Sequence, residues 1–148
     1  PKQGPARATG EHIARRDHDD ILHPCPLRYV AEAIAKQGAD FVYTDEVTFE
    51  GDIDHLTVYH FKPDYMLDNL RSNNYICHLS VFSAALLAKV GGDERAEFNG
   101  SQDYDLYLRL TEQAEKIVHI RICCTTGVPA PQAWPATSPP RPTAWKQP

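Results

Sequence analysis

At 148 residues and 42% hydrophobic composition, the chain holds enough apolar material for one cored domain or part of a larger one. The formal net charge of −5, with Lys and Arg scattered among acids, argues against nucleic acid or an anionic membrane as partner, since those need basic stripes. No apolar run approaches the ~20 residues of a membrane span, and none follows Arg7, Arg15 and Arg16 to make a signal peptide, so a soluble, cytoplasmic protein is expected. Cys25, Cys77, Cys123 and Cys124 form neither a CxxC pair nor a zinc-type spacing, and are expected to be free thiols.

Taken in chain order, Ile13 and Ala14 end a strand just before Asp17-His18-Asp19-Asp20. Pro26 opens a helix with Val30, Ala31, Ile34 and Ala35 on one face, and Gly38 stops it. Asp40 to Thr44 reads as a short buried strand, followed by an acidic loop from Asp45 to Asp54. Leu56 to Phe61 alternates as a strand and ends at Lys62-Pro63. A short helix over Tyr65 to Leu70, a strand over Tyr75 to Ser80, and a helix over Ser83 to Val90 closed by Gly91-Gly92 come next. Asp103 to Ala114 is amphipathic through Leu106, Tyr107 and Leu110, and Ile117 to Ile122 is the last strand. The pattern is α/β without internal repeats. From about Thr125 the charge nearly vanishes and seven of the twelve prolines collect. Residues 123–148 are therefore expected to form a disordered tail.

Two segments can carry chemistry. Three carboxylates within Asp17-His18-Asp19-Asp20 repel one another unless a cation sits among them. A hard divalent ion such as Mn²⁺ or Mg²⁺ takes one or two carboxylates and fills its sphere with phosphate oxygens and water. The simpler alternative is a solvated acidic turn. The second segment, Gly100-Ser101-Gln102-Asp103-Tyr104-Asp105-Leu106, opens the amphipathic helix. An acid at a helix N-terminus is kept ionised by the dipole and the free N–H groups, and so can accept a proton. The alternative is a capping role for Ser101 or Asp103.

Ala8-Thr9-Gly10-Glu11, then Asp17-His18-Asp19-Asp20, resembles the approach to the DxD metal motif of family 2 glycosyltransferases. Phe41-Val42-Tyr43-Thr44-Asp45-Glu46, His60-Phe61-Lys62-Pro63-Asp64, Asn74-Tyr75-Ile76-Cys77-His78-Leu79-Ser80 and Gly100 to Leu106 follow in the order seen in bacterial members that build surface polysaccharides. The resemblance runs from about Ala6 to Ile122. It implies a partial GT-A domain over residues 1–122, a Rossmann-like sandwich with a mixed sheet and flanking helices. It implies inverting, metal-dependent transfer of a sugar from a nucleotide-diphosphate sugar donor to a saccharide or lipid-linked saccharide acceptor, in the cytoplasm or at the inner face of the membrane. Asp17 and Asp19 then stand at the DxD positions, with Asp20 beside them, to hold Mn²⁺ or Mg²⁺ against the diphosphate. Asp103 stands at the general base, and Asn74, Tyr75 and His78 fall on the acceptor side, with a core histidine bonded to a backbone carbonyl as the alternative for His78; Asp45 and Glu46 either line that side or face water.

The sequence departs from the family in four places. The nucleotide-cradling first half is expected to be missing, which would leave sheet edges open to self-association. Gln102 replaces the Glu that usually precedes the base, and Arg15-Arg16 replace apolar strand residues. After Ile122 the family continues with something like Leu-Tyr-His-Trp-Arg. A one-base shift in suitably chosen codons from Cys124 onward restores those residues, so the proline-rich tail is expected to be a frameshift product, which the coding DNA would decide. A non-catalytic truncated remnant is the alternative to an active transferase, with a metal-dependent phosphoester hydrolase behind both.

Overall fold

The computed structural model describes residues 8–18, 20–92, 95–98 and 100–127. Six strands make one mixed sheet: β1 (His12–Arg15), β2 (Ile21–Leu22), β3 (Phe41–Phe49), β4 (Leu56–His60), β5 (Ser80–Ser83) and β6 (Ile117–Gly127). They lie in the order β1-β5-β3-β6-β2, and β4 also pairs with β3. Only β3 and β6 run parallel; every other pairing is antiparallel. β5 lies along the first half of β3 and β4 along its second half, while β6 follows it throughout.

Helices cover both faces. α1 (Pro26–Gln37) packs through Val30 and Ala33 against Val42, Leu79, Val81 and Val118. On the other face, α2 (Leu67–Ser72), α3 (Ala84–Lys89) and α4 (Gln102–Gln113) bring Leu70, Leu86, Leu87, Leu106, Tyr107 and Leu110 onto Phe41, Tyr43 and Phe82. The alternation along β3, with Phe41 and Tyr43 one way and Val42 the other, decides which helix meets which residue. Burying a side chain such as Phe41 or Leu106 completely contributes about 1.5–3 kcal/mol. The result is the mixed sheet with flanking helices that the sequence implied.

Several boundaries differ from the sequence reading. Ala31 and Ala35 face out and Ala33 faces in, because Pro26, Val30 and Ala33 are the residues that align over the sheet. β3 continues through Asp45 and Glu46 to Phe49 in place of an acidic loop, since β4 and β6 flank it there and supply backbone partners. The strand expected over Tyr75 to Ser80 starts only at Ser80. Cys77 has a φ of +39°, a left-handed conformation that no strand accommodates. β6 runs on past Ile122 to Gly127, carried by pairing of Glu46, Val47 and Thr48 with Thr125, Thr126 and Gly127. The rest of the expected tail, residues 128–148, lies outside the described residues. Arg15 is the last residue of β1, half-buried opposite Ser80, and Arg16 is exposed just beyond the strand.

No described helix is long and apolar enough to cross a membrane. The described cysteine side chains Cys25, Cys77 and Cys123 are free thiols.

Candidate active site

The β1–β5 register assembles the first part of the site. Because Arg15 stands opposite Ser80, the acidic turn after β1 lies beside the residues that precede β5. His78 Nε2 lies 3.5 Å from Asp17 Oδ1, and its Nδ1 lies 3.3 Å from Asp20 Oδ2. The Asp17 N–H donates to Asp20 Oδ2 at 3.3 Å, and the Arg16 guanidinium donates to the carbonyls of Asp17 and Asp20. The Asp17 side chain is open to solvent, whereas those of Asp20 and His78 are largely enclosed. Asp19 lies outside the described residues.

The second part is the start of α4. Ser101 occupies the cap position without a side-chain capping bond. Gln102, standing where a second acid was expected, accepts the Gly100 N–H at 2.7 Å. The Asp103 carboxylate, in the first turn, accepts a hydrogen bond from Asn74 Nδ2 at 3.1 Å. The Asn74 Oδ1 is buried with no hydrogen-bond partner. Asp105, two residues on, is engaged by Arg109 at 2.8 Å and by Arg95 at 3.7 Å.

Of the sequence candidates, the structure thus brings Asp17, Asp20 and His78 together and sets Asn74 on Asp103. Tyr75 goes to the core, where its hydroxyl accepts the Met66 N–H at 3.1 Å and its ring meets Tyr43 edge-on. One short segment, Asn74 to His78, touches both the acidic turn and the helix acid.

Residues the sequence did not single out hold that segment. Lys62, with a side chain only 3% exposed, donates from Nζ to the carbonyls of Ile76 and His78 at 2.7 Å each and reaches Glu46 Oε2 at 3.4 Å. Glu46 also accepts the His78 N–H at 3.4 Å and meets His60 Nδ1 at 3.1 Å. Asp45 Oδ1 accepts the Lys62 N–H at 2.8 Å and lies 2.8 Å from His119 Nε2. The His119 ring stacks on Tyr43, and its Nδ1 lies 3.4 Å from Asp64, which Arg121 grips at 2.6 Å. That guanidinium, then His119, holds the Asp64 carboxyl below its ordinary range. Thr44 pairs with Ile120 but Asp45 with Cys123, so β6 bulges at Arg121 and Ile122. Asp45 and Glu46 are therefore structural ion partners within β3.

Burial, and next the Glu46 carboxylate, push the Cys77 thiol up to about 12. Its Sγ donates to the Asn74 carbonyl at 3.3 Å. A thiol so far from ionising is a poor nucleophile. Iodoacetamide at pH 7.5 should label the exposed Cys25 well before Cys77 in the folded chain, as read by peptide mass spectrometry; equal rates would mean that the segment opens freely.

Among the described residues, no three His, Cys, Asp or Glu side chains stand in a cation-holding arrangement. The turn still offers two carboxylates side by side, drawn to one imidazole, and such oxygens suit Mg²⁺ or Mn²⁺, which need few protein ligands when phosphates complete the sphere. The donor set fits a hard divalent ion.

The mixed sheet with helices on both faces matches a region of the GT-A class of fold. The chain superposes on Staphylococcus aureus TarS 1–349 in complex with UDP-GlcNAc with a TM-score of 0.68 and 18% identity, covering 84% of this chain and 36% of that one. S. aureus TarS gives a TM-score of 0.67 at 18% identity, covering 86% and 23%. Among curated sequences, the O-antigen biosynthesis protein RfbC of Myxococcus xanthus is 38% identical over 119 residues, 80% of this chain and 9% of its own length. The uncharacterized protein y4gI of Sinorhizobium fredii is 44% identical over 116 residues, 76% of this chain and 12% of its own. The chain thus spans about a tenth of the length of these curated relatives. No family model matches it. In fold the chain matches a region of the GT-A glycosyltransferase structures, and in sequence it is similar to part of an O-antigen biosynthesis protein.

Proposed function

We propose that this chain carries the catalytic and cation-holding part of an inverting, metal-dependent glycosyltransferase, which moves a sugar from a nucleotide-diphosphate donor onto a saccharide acceptor during cell-surface polysaccharide assembly. The observation that carries the proposal is the convergence of the Asp17–Asp20 turn and Asp103 on the two ends of the Asn74–His78 segment. The relationship to an O-antigen biosynthesis protein and the fold shared with a UDP-GlcNAc complex support the reaction class and the type of donor. The same reading places the protein on the cytoplasmic side.

Asp17 and Asp19, with Asp20 beside them, would hold Mn²⁺ or Mg²⁺. A cation there supplies Lewis-acid neutralisation of charge on the departing diphosphate. His78 stands between Asp17 and Asp20, one ring nitrogen toward each carboxylate. Asp103 takes the proton from the acceptor hydroxyl as the oxygen attacks the anomeric carbon. Asn74 fixes the direction of that carboxylate.

Calorimetric titration of Mn²⁺ and then UDP into the chain tests the cation half of the proposal. UDP binding is expected to require Mn²⁺ and to be lost in Asp17→Ala and in Asp19→Ala. Binding that survives in both variants would place the cation elsewhere. No binding even to the unsubstituted chain would rule out a working donor site in this chain.

A further inference from the structure

The backbone from Asn74 to His78 belongs to neither helix nor strand, and the positive φ of Cys77 prevents a ladder from continuing through it. Its enclosed carbonyls must find partners elsewhere. The Lys62 ammonium takes those of Ile76 and His78, and the Tyr107 hydroxyl takes that of Cys77 at 2.8 Å. Three consecutive carbonyls are thus gripped by two side chains, one following β4 and one from α4. Lys62 is itself fixed: its N–H is held by Asp45, and Glu46 faces its Nζ.

We propose that Lys62 is a positioning residue for cation binding, acting through this strap without touching the ion. Lys62 sets the backbone at His78, and His78 sets the carboxylates of Asp17 and Asp20. The proposal rests on the reading of that turn as the cation site. A loss of enclosed charge costs stability wherever it occurs, but a positioning role also requires that cation affinity fall in a molecule that remains folded.

The test is the affinity of the chain for Mn²⁺ alone, measured by calorimetry at a temperature where circular dichroism shows each variant folded. Lys62→Met is expected to weaken binding about tenfold, the scale found for groups that orient metal ligands. His78→Gln is expected to weaken it comparably. Because Lys62 acts through His78, adding Lys62→Met to His78→Gln should cause little further loss. Unchanged affinity in folded Lys62→Met, or independent losses that add in the double variant, overturns the proposal. Should Lys62→Met not fold, Tyr107→Phe keeps the ring and releases the Cys77 carbonyl, together with the Ser80 hydroxyl. It is expected to weaken binding severalfold, and unchanged affinity there overturns the proposal equally. Failure of the unsubstituted chain to bind Mn²⁺ rejects the cation reading itself, a result distinct from binding that ignores Lys62.

Discussion

Lys62→Ala should lower the free energy of unfolding by about 3–5 kcal/mol, the range for removing one member of an enclosed ion pair. The substitution leaves the Glu46 carboxylate without its ammonium and deprives the carbonyls of Ile76 and His78 of their donor. The two carbonyls lost water on folding and regain nothing in return, and Glu46 keeps only the His78 N–H and His60. Against a typical total of about 5–15 kcal/mol, such a loss would leave a marginal protein. Urea denaturation followed by circular dichroism measures it. A change below about 1 kcal/mol, the size expected of a surface pair, would mean that the ammonium reaches water and that the strap does not depend on it.

Asp103→Asn should slow sugar transfer about 10²–10⁴-fold, the contribution of a positioned general base. The amide keeps the size of the carboxylate and its bond with Asn74 can re-form, but it cannot take the acceptor proton. The loss should fall on kcat, with the apparent affinity for donor unchanged, because Asp103 acts on the acceptor oxygen. Nucleotide release in the presence of acceptor is the measurement. Transfer at close to the unsubstituted rate would remove Asp103 from the base role and leave it as a first-turn acid favoured by the helix.

The sequence made the helices legible because they present apolar residues at helical spacing, and Gly38 closes α1 in the left-handed conformation. Strand β4 was placed almost as observed, β5 was expected to start at Tyr75 and starts only at Ser80, and β3 and β6 were read too short. Asp45 and Glu46 look like a loop because acids are rare inside strands; they are tolerated there because His119, His60 and Lys62 answer them. No periodicity carries such information, since those partners come from distant parts of the chain. The extension of β6 through Thr125 and Thr126 is likewise imposed by its neighbour and not by its own residues.

Local chemistry singled out the acidic turn and Asp103 as candidates, with a solvated turn and a helix cap as the alternatives, and the structure gives each a partner. Asn74 and His78 were legible only through the resemblance, and the structure shows what each touches. Lys62 was invisible as a functional residue. A lysine before a proline at a strand end ordinarily lies in water, and only the folded chain reveals it beneath the strap. The nearest sequence signal was its place in His60-Phe61-Lys62-Pro63-Asp64, a motif noted there for its order and not for its chemistry.

The sharing of β3 between two neighbours has a consequence for how this scaffold can vary. β4 leans on the second half of β3, and its turn, residues 50–55, projects into solvent. The return of the chain is pinned afterwards, where Asp45 accepts the Lys62 N–H. Length or sequence can therefore change in that projecting turn while the anchor behind it keeps the strap in place. The hairpin is an adjustable arm on a fixed mount, a place where related chains can alter their reach toward new partners without rebuilding the chemistry beside it.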